Sequence, residues 1–233
     1  RMVKSGAYLA REDDKFFVDL EADVPLKVRR RLEYLEANLF PNDRRVLYFL
    51  SAWVDDPALP MAQWSKTEQQ QWDARVSWQN TRRLGLARWG DLRDLGPDVL
   101  KKLAVELANG ETDFAFLIGV PVEAAEQRKY LEEKLLPILG DMAGAFAFWM
   151  PRGLSSEEMG VLTRALAHFL LYKELTEDDG VVENRKAIEY LEPLLADERL
   201  KVREVYVRAY FEGEVISGSG EEIINLPKVG RLP

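Results

Sequence analysis

Apolar residues fall at helical intervals through the first part of the chain. Val28, Leu32, Leu35 and Leu39 line one side of a helix at about 100° per residue. Pro25 suits its first turn, where a missing N–H costs nothing, Asp23 is placed to cap it, and Pro41 stops it. Asn42 is placed to cap a second helix reaching about Val54, with Val46, Leu50 and Trp53 inward, and the short link predicts an antiparallel helical hairpin. Ahead of both, Phe16 to Leu20 is a short apolar piece that reads as a strand or as an arm docked on the core.

Beyond a loop containing Pro57 and Pro60, Ser65 and Glu68 have capping-box spacing, which predicts a helix beginning there and ending at Gly85. On that helix Trp72, Val76 and Gln79 share one stripe, and Arg75, Trp78 and Arg82 another. Trp72 is then a core anchor, whereas Trp78 lies between two guanidiniums that can stack on its ring. Arg88 and Trp89 follow on the connection. The bland reading is a helix packed on its own chain, with arginine stems covering the indole. The sharper one makes Arg75, Trp78, Arg82, Arg88 and Trp89 a partner-binding surface, since Trp and Arg are enriched at interface hot spots.

The second part mixes periods. Pro97 and Gly110 bracket a helix carrying Val99, Leu100, Leu103, Ala104 and Leu107. Asp113 to Val120 reads as a buried strand or short apolar segment, Pro121 opens another helix, and Pro137 ends or kinks it. Ala143 to Met150 fits a strand or a helix; if it is a strand, the region is a strand–helix–strand unit. Ser155 and Glu158 form a second capping box ahead of Met159, Leu162, Leu166, Phe169 and Leu170. A further helix carries Ala187, Ile188, Leu191 and Leu194 and is interrupted by Pro193. From Val202 onward the period changes: Val205, Val207, Ala209 and Phe211 alternate with polar or aromatic neighbours, which predicts a strand, with Val215-Ile216 and Ile223-Ile224 as return strands around the Gly218-Ser219-Gly220 turn. The fold class expected is α+β and predominantly α-helical: residues 1–95 form a helical unit with the Trp/Arg-rich helix, and residues 96–233 form a mixed part closed by a small antiparallel C-terminal sheet.

Composition narrows the chemistry. A 233-residue chain with 47% hydrophobic residues can bury a core, and no apolar run approaches the ~20 residues that span a bilayer. The expectation is a soluble protein of the cytoplasm or an organelle matrix. Zero cysteines exclude disulfides and thiolate sites. The net charge of −8 combines −10 in residues 94–233, where 26 Asp+Glu face 16 Lys+Arg, with +2 in residues 1–93. Broad attraction to nucleic acid is therefore disfavoured, while a local basic patch in the first part stays open.

His168 is the one histidine, so any histidine base has a single candidate, expected to be partly exposed and without a catalytic task. The adjacent carboxylates Asp55-Asp56, Glu157-Glu158, Asp178-Asp179 and Glu221-Glu222 are explained by caps and turns. No phosphate loop, nucleophile elbow or zinc spacing occurs, and neither cofactor nor metal is expected. The leading expectation is a non-catalytic adaptor, regulatory or assembly subunit that binds another protein in a larger complex. The first alternative is a nucleic-acid-associated component with Arg29, Arg30, Arg31, Arg44 and Arg45 as phosphate contacts, although Glu33 and Glu36 can pair with the first three on a solvated face. The second is an enzyme with an unsignalled carboxylate or histidine site.

Overall fold

A computed structural model describes residues 8–12, 15–19, 24–39, 50, 53–54, 59, 71–78, 81–110, 112–177, 182–220 and 222–225. The chain divides into two compact units, each assembled from two stretches: Arg1–Val46 with Met159–Val202, and Leu47–Glu158 with Arg203–Pro233. The boundaries of these units fall between Val46 and Leu47 and inside the helices Ser156–Thr176 and Val182–Phe211.

The unit containing Leu47–Glu158 is built on a six-stranded mixed sheet, in the order β3 (Gln71–Trp78), β4 (Thr81–Trp89), β5 (Phe114–Ile118), β6 (Phe146–Met150), β7 (Glu214–Ser217) and β8 (Glu222–Asn225). β4, β5 and β6 run parallel, and β3, β7 and β8 add antiparallel pairings at the two sides. FAFLI and FAFWM are nearly continuous apolar runs, as parallel strands with both faces covered require. One face buries Ala115, Leu117, Phe146, Phe148, Met150 and Ile216 under α2 (Pro97–Ala108), which contributes Leu100, Leu103 and Leu107. The same cluster takes Leu131, Leu135 and Leu139 from α3 (Ala124–Tyr130), a π-helical turn (Leu131–Leu135) and α4 (Leu136–Leu139). The strand–helix–strand reading of residues 113–150 therefore holds, and the kink expected near Pro137 falls next to the π turn.

In the other unit β1 (Tyr8–Glu12) and β2 (Lys15–Asp19) form an antiparallel pair, followed by α1 (Val24–Asn38) with Val28 and Leu32 buried. It also takes most of α5 (Ser156–Thr176) and of α6 (Val182–Phe211), which continues through Pro193 instead of breaking there. α5 starts at the expected capping box: Ser155 N–H donates to Glu158 Oε2 at 2.8 Å, and Glu158 N–H donates to Ser155 Oγ at 3.2 Å. Ala165, Leu166, Ala167 and His168 are all buried, so this stretch of α5 has no solvent face and the partly exposed histidine expected there is instead interior.

Two predicted elements are different in kind. Residues 71–78 and 81–89 are paired antiparallel strands, not the end of a helix. Gly85, read as a helix stop, lies in the middle of β4 beneath the Phe114 ring, which leaves no room for a Cβ. The aromatic and β-branched residues that surround it favour a pleated surface, and pairing with β5 decides the matter. Positions 72, 76 and 78 share parity along a strand, so the helical argument separating Trp72 from Trp78 does not apply. The segment predicted as a strand, Val205 to Phe211, is the last part of α6. Its buried residues are Val202, Val205, Tyr206, Ala209 and Tyr210, a helical set that strict alternation misses. β7 and β8 do pair antiparallel as expected, but they complete the mixed sheet instead of forming a separate small one. The Ser65–Glu68 box, Arg44 and Arg45, and most of the predicted 42–54 helix lie outside the described residues.

Candidate functional site

The carboxyl ends of β4, β5 and β6 bring three loops together at residues 90–94, 119–123 and 151–155. Open sheets with parallel strands characteristically bind ligands at such an edge. Its centre is Gln127 on α3, fully buried. Gln127 Oε1 accepts from the N–H groups of Leu92 and Val120, each at 3.2 Å. Its Nε2 donates to the carbonyls of Val120 at 2.8 Å and Val122 at 2.7 Å. One amide thus uses both donors and both acceptor sites to fasten two loops.

Asp91 caps the short 3-10 turn Leu92–Asp94 by accepting from Arg93 N–H at 2.9 Å, and its carboxylate also takes the Arg93 guanidinium in a fork. The same guanidinium reaches Glu123, so Arg93 lies between two carboxylates, and its pKa is raised chiefly by the hydrogen bond to Asp91. Glu123 adopts φ 51° and ψ 40°, the left-handed conformation that costs a side-chain-bearing residue about 1 kcal/mol or more. A small pocket beside Arg88, Asp91, Asp94 and Ile118 has room for about one water.

The other sheet face meets the end of α6. Trp89 is fully buried; its Nε1 donates to Tyr210 Oη at 2.6 Å, and Tyr210 Oη donates to Gly119 O at 2.9 Å. Trp149 stacks on Phe116 at 6.1 Å, meets Tyr210 edge-on at 5.4 Å, and donates from Nε1 to Tyr210 O. Burial pushes the Tyr206 and Tyr210 phenols above their ordinary pKa. Below β6, Arg152 N–H donates to Ala209 O, and its guanidinium joins Glu158 at 2.7 Å to Glu212 at 2.7 Å. Arg152 is the first cause holding the Glu158 carboxyl down to about 2, with help from the Ser155 N–H. Arg128 pairs with Glu132 and with Glu214 at the start of β7.

The predicted partner-binding residues are divided by this architecture. Trp89 serves the interior, and Arg88 lies on β4 beside the small cavity. Arg75 and Arg82 are exposed, and Trp78 occupies the last position of β3. Because β5 pairs only with Gly85–Trp89, the first four residues of β4 and the β3 residues opposite them extend beyond the parallel strands as a two-stranded arm. Arg82, Arg83 and Leu84 are exposed on it, with Leu84 opposite Arg75. Asp113 braces its base: it accepts from Leu84 N–H at 2.8 Å and pairs with Arg83 at 3.1 Å, interactions that lower its pKa.

Of the predicted phosphate contacts, Arg29, Arg30 and Arg31 are exposed on α1, and Arg31 forms a two-hydrogen-bond pair with Glu174 on α5 instead of the nearby Glu33 or Glu36. His168 Nδ1 meets Arg164 O at 2.9 Å. Among the described residues no group of three or more His, Asp and Glu side chains could hold a metal, and no helix is long and apolar enough to cross a membrane. Sequence reasoning missed Gln127, Asp91, Arg93 and Glu123 as a connected set, because their partners are backbone groups or residues up to 35 positions away. Comparison of the chain with family profiles, curated proteins and solved structures finds no match.

Proposed function

We propose that the chain is a non-catalytic adaptor or assembly subunit that engages another protein through the β3–β4 arm. The observation that carries this reading is the projection of residues 75–78 and 81–84 beyond β5, with Arg82, Arg83 and Leu84 exposed together. A guanidinium beside an exposed leucine offers both charge and apolar area, the combination from which interface anchors are made. The state of the loop edge agrees: Asp91, Arg93, Glu123 and Gln127 spend their polar groups on one another and on the backbone. The test is co-purification with the native partner, followed by Arg82→Glu and Leu84→Ala. Each is expected to leave the melting temperature near its starting value and to weaken partner binding by about 2 kcal/mol if the position is a hot spot. Unchanged binding by both variants removes the arm from the interface. Oligonucleotide binding that falls steeply with salt and depends on Arg29, Arg30 and Arg31 replaces the protein partner with nucleic acid.

A further inference from the structure

β3 is the first strand of the six-stranded sheet and, among the described residues, pairs on one side only, with β4. It runs for eight residues, Gln71–Trp78, against four for the opposite edge strand β8. Its sequence, QWDARVSW, has no proline, and its register with β4 continues without a shift from Gln71↔Arg88 to Trp78↔Thr81. Short length, proline and bulges are the usual devices that stop an edge from pairing with another chain, and β3 carries none of them. Charge remains as the means of choosing a partner, and it sits at two positions, Asp73 and Arg75, both exposed.

We propose that β3 joins the same strand of a second copy of this chain, antiparallel about a two-fold axis through Ala74. A two-fold axis normal to the sheet keeps each residue on its own face, so paired positions must differ by an even number. Centring the axis on Asp73 sets two carboxylates opposite each other, and centring it on Arg75 sets two guanidiniums opposite each other. With Ala74 at the centre, Asp73 of each copy faces Arg75 of the other, giving two opposite-charge pairs in one interface. The same register lets the strands pair along positions 71–77. The small Ala74 occupies the axis. Two six-stranded sheets then become one continuous sheet. The inference rests on strand register and does not depend on the partner read for residues 82–84.

The test is sedimentation of the 233-residue chain from about 1 to 100 μM at roughly 0.15 M salt, where the overall charge of −8 is well screened. Wild type is expected to dimerise. Asp73→Arg and Arg75→Asp each replace both opposite-charge pairs with like-charge pairs and are expected to weaken dimerisation about tenfold or more. Mixing the two variants restores both attractive pairs, so the mixture forms heterodimers although each component alone does not; the double exchange D73R/R75D restores the homodimer. Circular dichroism of the single variants checks that they remain folded, and recovery on mixing shows it independently. A wild type that stays monomeric at 100 μM overturns the proposal, including one whose β3 amides gain protection only when a different protein is added. Single variants that dimerise as tightly as wild type, or a mixture that stays monomeric, also overturn it.

Discussion

Trp89 and Tyr210, 121 residues apart in sequence, share a 2.6 Å hydrogen bond in the interior, and the same tyrosine hydroxyl donates a hydrogen bond to Gly119 O. One oxygen therefore ties the ends of two parallel strands to the last turns of α6. Tyr210→Phe keeps the ring and leaves a buried indole N–H and a buried carbonyl without partners. At about 1–3 kcal/mol for each orphaned group, the expected loss is roughly 2–6 kcal/mol, which lowers Tm by about 5–20 °C in a chain of this size. Calorimetry checks it; a Tm within about 2 °C of wild type means the hydroxyl is dispensable.

Gln127 offers a sharper contrast between shape and hydrogen bonding. Gln127→Leu preserves much of the volume but strands the Leu92 and Val120 N–H groups and the Val120 and Val122 carbonyls. It is expected to destabilise by about 3 kcal/mol or more, with amide exchange at Leu92 and Val120 accelerating first. Gln127→Glu keeps the acceptors for the two N–H groups but faces the two carbonyls with oxygen, and so should also unlock the 119–123 loop. Normal exchange at both amides in the leucine variant would show that the loops hold themselves.

The Arg152–Glu158 pair makes stability fall in acid. The Glu158 carboxyl ionises at about 2 in the folded chain against 4.5 in its ordinary state, first because Arg152 hydrogen-bonds the carboxylate. A depressed folded pKa means the unfolded chain binds more protons, so the contribution is complete above pH 4.5 and is lost as pH falls toward 2. Its full size is roughly 3 kcal/mol at most. Glu158→Gln should flatten urea-unfolding stability across that window while costing stability at neutral pH; an unchanged acid slope would assign the loss to other carboxylates.

Glu123 combines strain with an ion pair, and two substitutions separate them. Glu123→Ala loses the contact with Arg93 and keeps the left-handed backbone, whereas Glu123→Gly loses the same contact and relieves the strain. Glycine is therefore expected to be more stable than alanine here by about 1 kcal/mol, the reverse of their order in a helix interior. Chemical denaturation of the two variants side by side measures it, and alanine equal to or better than glycine would argue that the backbone changes conformation.

What could be read from the sequence was local. Pro97 and Gly110 and the Ser155–Glu158 box each declare their element through neighbours a few residues away, and each is found, whereas the apolar run ending at Met150 fits a strand or a helix by its sequence and is a strand. The failures come where two periods fit the same residues. Val205, Val207, Ala209 and Phe211 alternate, yet Val202, Val205, Tyr206, Ala209 and Tyr210 also repeat at helical spacing, and Tyr210 favours the helix by burying against Trp89 of β4 and Trp149 of β6. The Arg75, Trp78 and Arg82 spacing suits a helix face, but Gly85 under Phe114 fixes a strand, and Phe114 is 29 residues further on. The Gln127 and Arg93 cluster had no signal of its own, since a glutamine that fastens backbone loops looks like any surface glutamine until the loops are in place.

The sheet is also completed out of order in time. β6 ends at Met150, but the strand that covers its outer edge begins at Glu214, on the far side of the helical stretch belonging to the other unit. At a synthesis rate of about 5–20 residues per second, FAFWM leaves the ribosome roughly 3–13 s before its antiparallel neighbour can reach it. During that interval a five-residue apolar strand has an open edge, and Trp149 waits for Tyr210 over the same span. The edge of β6 is therefore open to wrong pairing in the nascent chain, and slowing translation between residues 150 and 214 lengthens that exposure.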